Sequence, residues 1–185
     1  HEGAMLGDDE YTLIPACHAR HEAEANFAAA RLLFLREKFV EEAQAHEACI
    51  ESMKKLKERF GNTYTTTLWR CVEAWGASVP VVGLVTGHPP PDQRKPDFDP
   101  ENPCRHFIQS PAFARQFSTV PETSVFEEVV EYCSPKGGGP LGESDVLLVD
   151  DNGDGHIFEF ESFHFYHQTL TIGIYRRPRR NLVAA

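Results

Sequence analysis

Apolar positions organise the first third of this chain. From Ala25 to Ala43 they return at three- and four-residue steps, with Ala25, Ala28, Ala29, Leu32, Leu35, Phe39 and Ala43 forming one stripe. That spacing is the mark of a helix with one buried face. Almost no helix breaker interrupts the run before Gly61. It is too long for one ordinary helix, so a break is expected around Ala43–Ala48. The next unit, "IESMKKLKERFGNTYTTTLWRCVEAWG", predicts a helix ending at Phe60 and a left-handed cap at Gly61–Asn62. Thr65 or Thr66 can then cap a further helix through Leu68, Val72 and Trp75. Two helices joined by a short turn containing glycine have a helix-turn-helix shape. The second helix holds a single arginine, Arg70, which favours a structural helix pair over a DNA reader.

After Gly76 the helical period stops. "SVPVVGLVTG" reads as a strand, and residues 88–103 form a Pro-rich, charged loop. "HFIQSPAFARQF" suggests a short helix, while "SVFEEVVEYC" is undecided between helix and strand. "SDVLLV" and "HIFEFESF" flank "NGDG", a strong hairpin signal, and "TLTIGIYRR" alternates as a final strand. The expected class is α+β. A helical part over 1–76 contains the helix-turn-helix-like pair, and a β-rich part over 77–185 follows.

Composition narrows the function classes. The 185 residues are 41% hydrophobic, enough for a packed core. The net charge of −10 argues against broad nucleic-acid binding, which depends on counterion release by Lys and Arg. No apolar run is long enough to suggest a membrane span, and no secretory leader is visible. The five cysteines are widely spaced without a CxxC, which suggests reduced, mostly buried thiols in a cytoplasmic protein. There is no G-x-S-x-G elbow, P-loop or dinucleotide fingerprint.

The chemistry-bearing residues lie at the two ends. Glu22 and Glu24 fall in the first turn of the Ala-rich helix, where carboxylates complement the helix dipole without any metal. "EAEANFAAARLLF" also resembles the "ExEANxFAAxLLMP" signature of the ImmA/IrrE family of zinc metallopeptidases. Glu22, Glu24, Ala25, Asn26, Ala29, Ala30, Leu32 and Leu33 are in register. Phe27, Ala28 and Phe34–Leu35 depart from the family order. The family's small helical unit is similar to "LKERFGNTYTTTLWRCVE", and "GESDVLLVDDNGDGHIFEFESF" suits the β-rich part that some members add. The resemblance covers about Glu22 to Val72.

This resemblance implies that Glu24 is the glutamate ligand of a catalytic zinc, with Glu22 as the fallback. It implies two zinc histidines and a general-base glutamate in an upstream HExxH helix. It also implies a protein substrate, a helix-turn-helix transcriptional repressor. The chain contains no HExxH; "HEGAM" puts Met5 where the second histidine belongs. The expectation is therefore a portion of a longer peptidase beginning just after the catalytic motif, with a natural pseudo-enzyme as the alternative; either way the chain is inactive by itself and has no catalytic residue of its own.

Other clusters stand outside that reading. Cys17, His18 and His21 have metal-compatible spacing but no second pair to complete a site. His46–Glu47 likewise lacks a histidine four residues on. Asp150, Asn152, Asp154 and Glu161, with Gly155, match positions 1, 3, 5, 12 and 6 of an EF-hand calcium loop. Their strand-like flanks favour a plain hairpin, with a calcium-binding or regulatory interaction module as the alternative.

Overall fold

The computed structural model describes residues 36–87, 89–96, 98–99, 103–129 and 139–176. Contacts divide the chain into two units, His1–Phe39 and Val40–Ala185. Of the first, only the helical residues 36–39 are described.

The helices come first. α1 (Arg36–Ala45) ends within the expected break, and α2 (Ile50–Phe60) and α3 (Tyr64–Trp75) follow. Gly61 closes α2 at φ 69°, and its N–H donates to Lys57 O at 2.9 Å. A side chain there would be strained in this left-handed conformation, so glycine suits it. The cap of α3 is Thr63 rather than Thr65 or Thr66: its Oγ1 accepts from Thr66 N at 3.2 Å. Four threonines compete for that role in the sequence. The tight turn after Gly61 assigns it to the earliest.

Strands β1 (Val81–Gly87), β2 (Cys104–Gln109), β3 (Gly139–Val149), β4 (Gly155–Phe165) and β5 (Gln168–Tyr175) form one sheet. Its order is β2-β1-β5-β4-β3, and every neighbouring pair is antiparallel. The expected α+β class is the observed one. A 3₁₀ turn, Pro91–Gln93, lies in the connection from β1 to β2. Between β2 and β3 run α4 (Pro111–Gln116) and α5 (Glu122–Val129).

The expected short helix in "HFIQSPAFARQF" is thus half strand and half helix. Ser110 Oγ accepts from Phe113 N at 3.1 Å to start α4, with Pro111 at its first position. The same oxygen accepts from Val81 N at 3.0 Å, tying α4 to β1. The undecided segment resolves as helix over Glu122–Val129, burying Val125, Phe126 and Val129. Its remaining residues lie outside the described ones.

Side chains alternate across a strand, so β1 is buried on both faces only because both are covered. Val82 and Leu84 join Phe113 and Phe117 from the α4 region, Val125, Phe126 and Val129 of α5, and Phe158 and Phe160 of β4. On the opposite face Val72 of α3 lies against Gly83, beside Ile108. Lys54 of α2 sits over the Phe163 ring at 4.2 Å. The helix-turn-helix-like pair therefore packs onto the sheet, with Thr67, Leu68, Cys71 and Val72 of its second helix buried. Among the described residues no helix is long and apolar enough to cross a membrane.

Candidate functional site

Among the described residues, the polar cluster singled out by the sequence lies at the β3–β4 connection. Val149 pairs with Gly155, and residues 150–154 form the turn. Asp150 N donates to Asp154 O at 2.9 Å, and Gly153 N donates to Asp150 O at 3.0 Å. Gly153 takes φ 86°. The hairpin signal in "NGDG" is realised.

Asp150 is the hub of the turn. Its Oδ1 accepts from Asn152 N and Asp154 N, both at 2.9 Å. Its Oδ2 accepts from His156 Nε2 at 2.9 Å and from Gln116 Nε2 at 3.3 Å. The side chain is nearly inaccessible, and both oxygens have partners. The Asp154 N–H holds the carboxyl well below the usual carboxylate range, aided by Gln116, His156 and Asn152 against the opposing effect of burial.

His156 is oriented by this carboxylate and wedged edge-on between rings. Its centroid lies 5.3 Å from Phe117 and 5.4 Å from Tyr175. With Nε2 donating to Asp150, Nδ1 is buried and has no hydrogen-bond partner among the described residues. An Asp–His pair prepares a base only when the far nitrogen reaches a nucleophile. Among the described residues no hydroxyl or thiol meets it.

Asp151 makes a second clamp. Its Oδ1 accepts from Thr119 N at 3.0 Å and Thr119 Oγ1 at 2.7 Å. Its Oδ2 accepts from Ser118 N at 3.0 Å and Ser118 Oγ at 2.8 Å. The Thr119 hydroxyl leads the group of donors that lowers this carboxyl to about 2. Asp151 N also donates to Gln116 O at 3.0 Å. The hairpin tip is therefore bolted to the end of α4 by two aspartates. Gln116, Ser118, Thr119 and His156 had no assigned role in the sequence reading. Their partners stand more than 30 residues away, apart from His156, so no local spacing reveals them.

The EF-hand set is separated. Asp150, Asn152 and Asp154 share the turn, but Glu161 stands six residues along β4 from Gly155, roughly 20 Å of strand. Its Oε2 accepts from Ile50 N at 2.8 Å, at the first turn of α2. The helix before the loop that an EF-hand requires is replaced by β3. Among the described residues, no group of three or more His, Cys, Asp or Glu side chains is arranged to hold a metal. Glu22, Glu24, Cys17, His18 and His21 lie outside the described residues. His46 and Glu47 follow α1, and Glu47 lies 3.8 Å from Arg176.

No protein-family model matches the chain, and a search of curated proteins returns no match.

Proposed function

We propose that this chain is a portion of a zinc-dependent endopeptidase of ImmA/IrrE type, acting in its intact form on a helix-turn-helix transcriptional repressor. The observation that carries the reading is the register of Glu22, Glu24, Ala25 and Asn26 with the family signature, followed by Ala29, Ala30, Leu32 and Leu33. The order of parts supports it: a capped helix pair, α2 and α3, comes next, and then a β-rich unit.

In this reading Glu24 is the third zinc ligand, with Glu22 the fallback. The HExxH histidines and the general base lie upstream of His1. A zinc bound there lowers the pKa of its water and polarises the scissile carbonyl. Among the described residues of Val40–Ala185, the Asp150 and Asp151 carboxylates are spent on the hairpin clamp. Val40–Ala185 serves as a regulatory and substrate-facing unit, in a cytoplasmic setting that suits the free thiols of Cys49 and Cys71. Packing of α3 against the sheet supports a structural role for the helix pair rather than DNA reading.

The test is the coding sequence upstream of His1. An HExxH within a few tens of residues is the expected finding. Its absence there rejects the peptidase reading.

A further inference from the structure

We propose that the cleft lined by Pro89, Gln93, Lys95 and Phe98 on one side and edge strand β2 on the other binds a small organic anion, with Arg105 and Lys95 as its charge partners. The cleft encloses about 490 Å³. That is the size of small-molecule sites, and more than a bare inorganic anion fills. Pro89, Phe98 and Pro103 supply an apolar wall, which calls for an organic body. Gln93, Lys95, Arg105 and His106 supply the donors.

Arg105 is aimed here by the backbone. Val85 pairs with His106 and Thr86 with Cys104, so Arg105 is the extra residue of a β-bulge. Bulges re-aim a side chain and are frequent on sheet edges. The Arg105 side chain crosses Gly87 so closely that a Cβ at that position would overlap its Nε. The imidazole of His106 is braced edge-on by Trp69, with centroids 5.9 Å apart.

The charges point the same way. Arg59, Arg70 and Arg176 are each tied to a glutamate, and Arg94 lies over the Phe98 ring. By contrast, no hydrogen bond or ion pair is made by the side chains of Arg105, Lys95 and Gln93 among the described residues. Asp99 is the one carboxylate among the described lining residues, and it is engaged in another contact. In a chain of net charge −10, two unpaired cations facing one cleft form a local attraction for an anion against an unfavourable overall field. A guanidinium presents paired N–H groups that match a carboxylate or a phosphate equally.

The experiment is amide NMR on the full chain, titrated with phenyl phosphate, benzoate and uncharged benzyl alcohol. Saturable shifts at Gln93, Arg105 and His106 are expected with at least one anion and not with the alcohol. The tighter of the two distinguishes phosphate from carboxylate chemistry. Arg105→Ala is expected to weaken binding by at least ~10-fold. Gly87→Ala, which keeps every charge but displaces Arg105, is expected to weaken it as well. Lys55→Ala, on the exposed face of α2, leaves it unchanged. No saturable shift below ~10 mM with either anion, equal binding of benzyl alcohol, or unchanged affinity in both Arg105→Ala and Gly87→Ala overturns the proposal.

Discussion

Asp150 Oδ2 lies 2.9 Å from His156 Nε2, so the first residue of the β3–β4 turn grips the second residue of the strand that leaves it. Two backbone N–H groups on Oδ1 complete the grip from inside the turn. Asp150→Ala removes the acceptor for four donors at once. It is expected to lower the melting temperature clearly more than Asp154→Ala, measured by circular dichroism. Equal melting of the two variants contradicts the latch.

Acid should loosen the same region. The Asp150 and Asp151 carboxyls are depressed in the folded protein, Asp151 to about 2. An unfolded aspartate titrates near ~3.9, so the contribution of each is fully present above that pH. It is lost as the pH falls from ~4 toward the folded values. Urea melts of the wild type should lose stability between pH ~5 and ~2 more steeply than those of Asp151→Asn. Parallel loss in both proteins contradicts the assignment.

Glu161 serves α2, accepting from Ile50 N at 2.8 Å. Glu161→Ala is expected to cost about 0.5–2 kcal/mol, the range for losing a helix-start acceptor. Calorimetry with calcium at millimolar concentration should give no saturable heat, since Glu161 cannot close a shell around the turn from its place on β4. Saturable heat that Asp150→Ala abolishes restores the calcium reading.

Cys71 is fully buried, and burial pushes its thiol far up. Cys49 and Cys104 are half-buried. Alkylation with iodoacetamide under native conditions, read by peptide mass spectrometry, should label these two and spare Cys71. Labelling of Cys71 at a comparable rate contradicts the packing of α3 on the sheet.

The sequence spoke most clearly where a local rule was enough. Gly61 marked the end of α2, "NGDG" marked the hairpin, and the alternation of "TLTIGIYRR" marked β5. It spoke less clearly where distant packing decides. Val125, Phe126 and Val129 suit a helix face as well as a weak strand pattern until the sheet is there to receive them. The sheet order, which puts the chain's last strand between β1 and β4, has no local signature. The calcium-like string shows the same limit: residue types and spacing matched, but strands on both sides carried Glu161 away. The change of texture at Gly76 is a switch from helix to strand inside Val40–Ala185, because α2 and α3 pack on the sheet they precede.

The central claim concerns Glu24, and metal analysis of the intact protein tests it most directly. Zinc content is measured in the protein translated from its full coding sequence, with Glu24→Gln beside it and Glu22→Gln as the fallback control. The account predicts stoichiometric zinc in the wild type and a loss of affinity of at least ~10-fold in Glu24→Gln, with the fold retained. Undiminished zinc in both variants, or no zinc in the wild type, contradicts it.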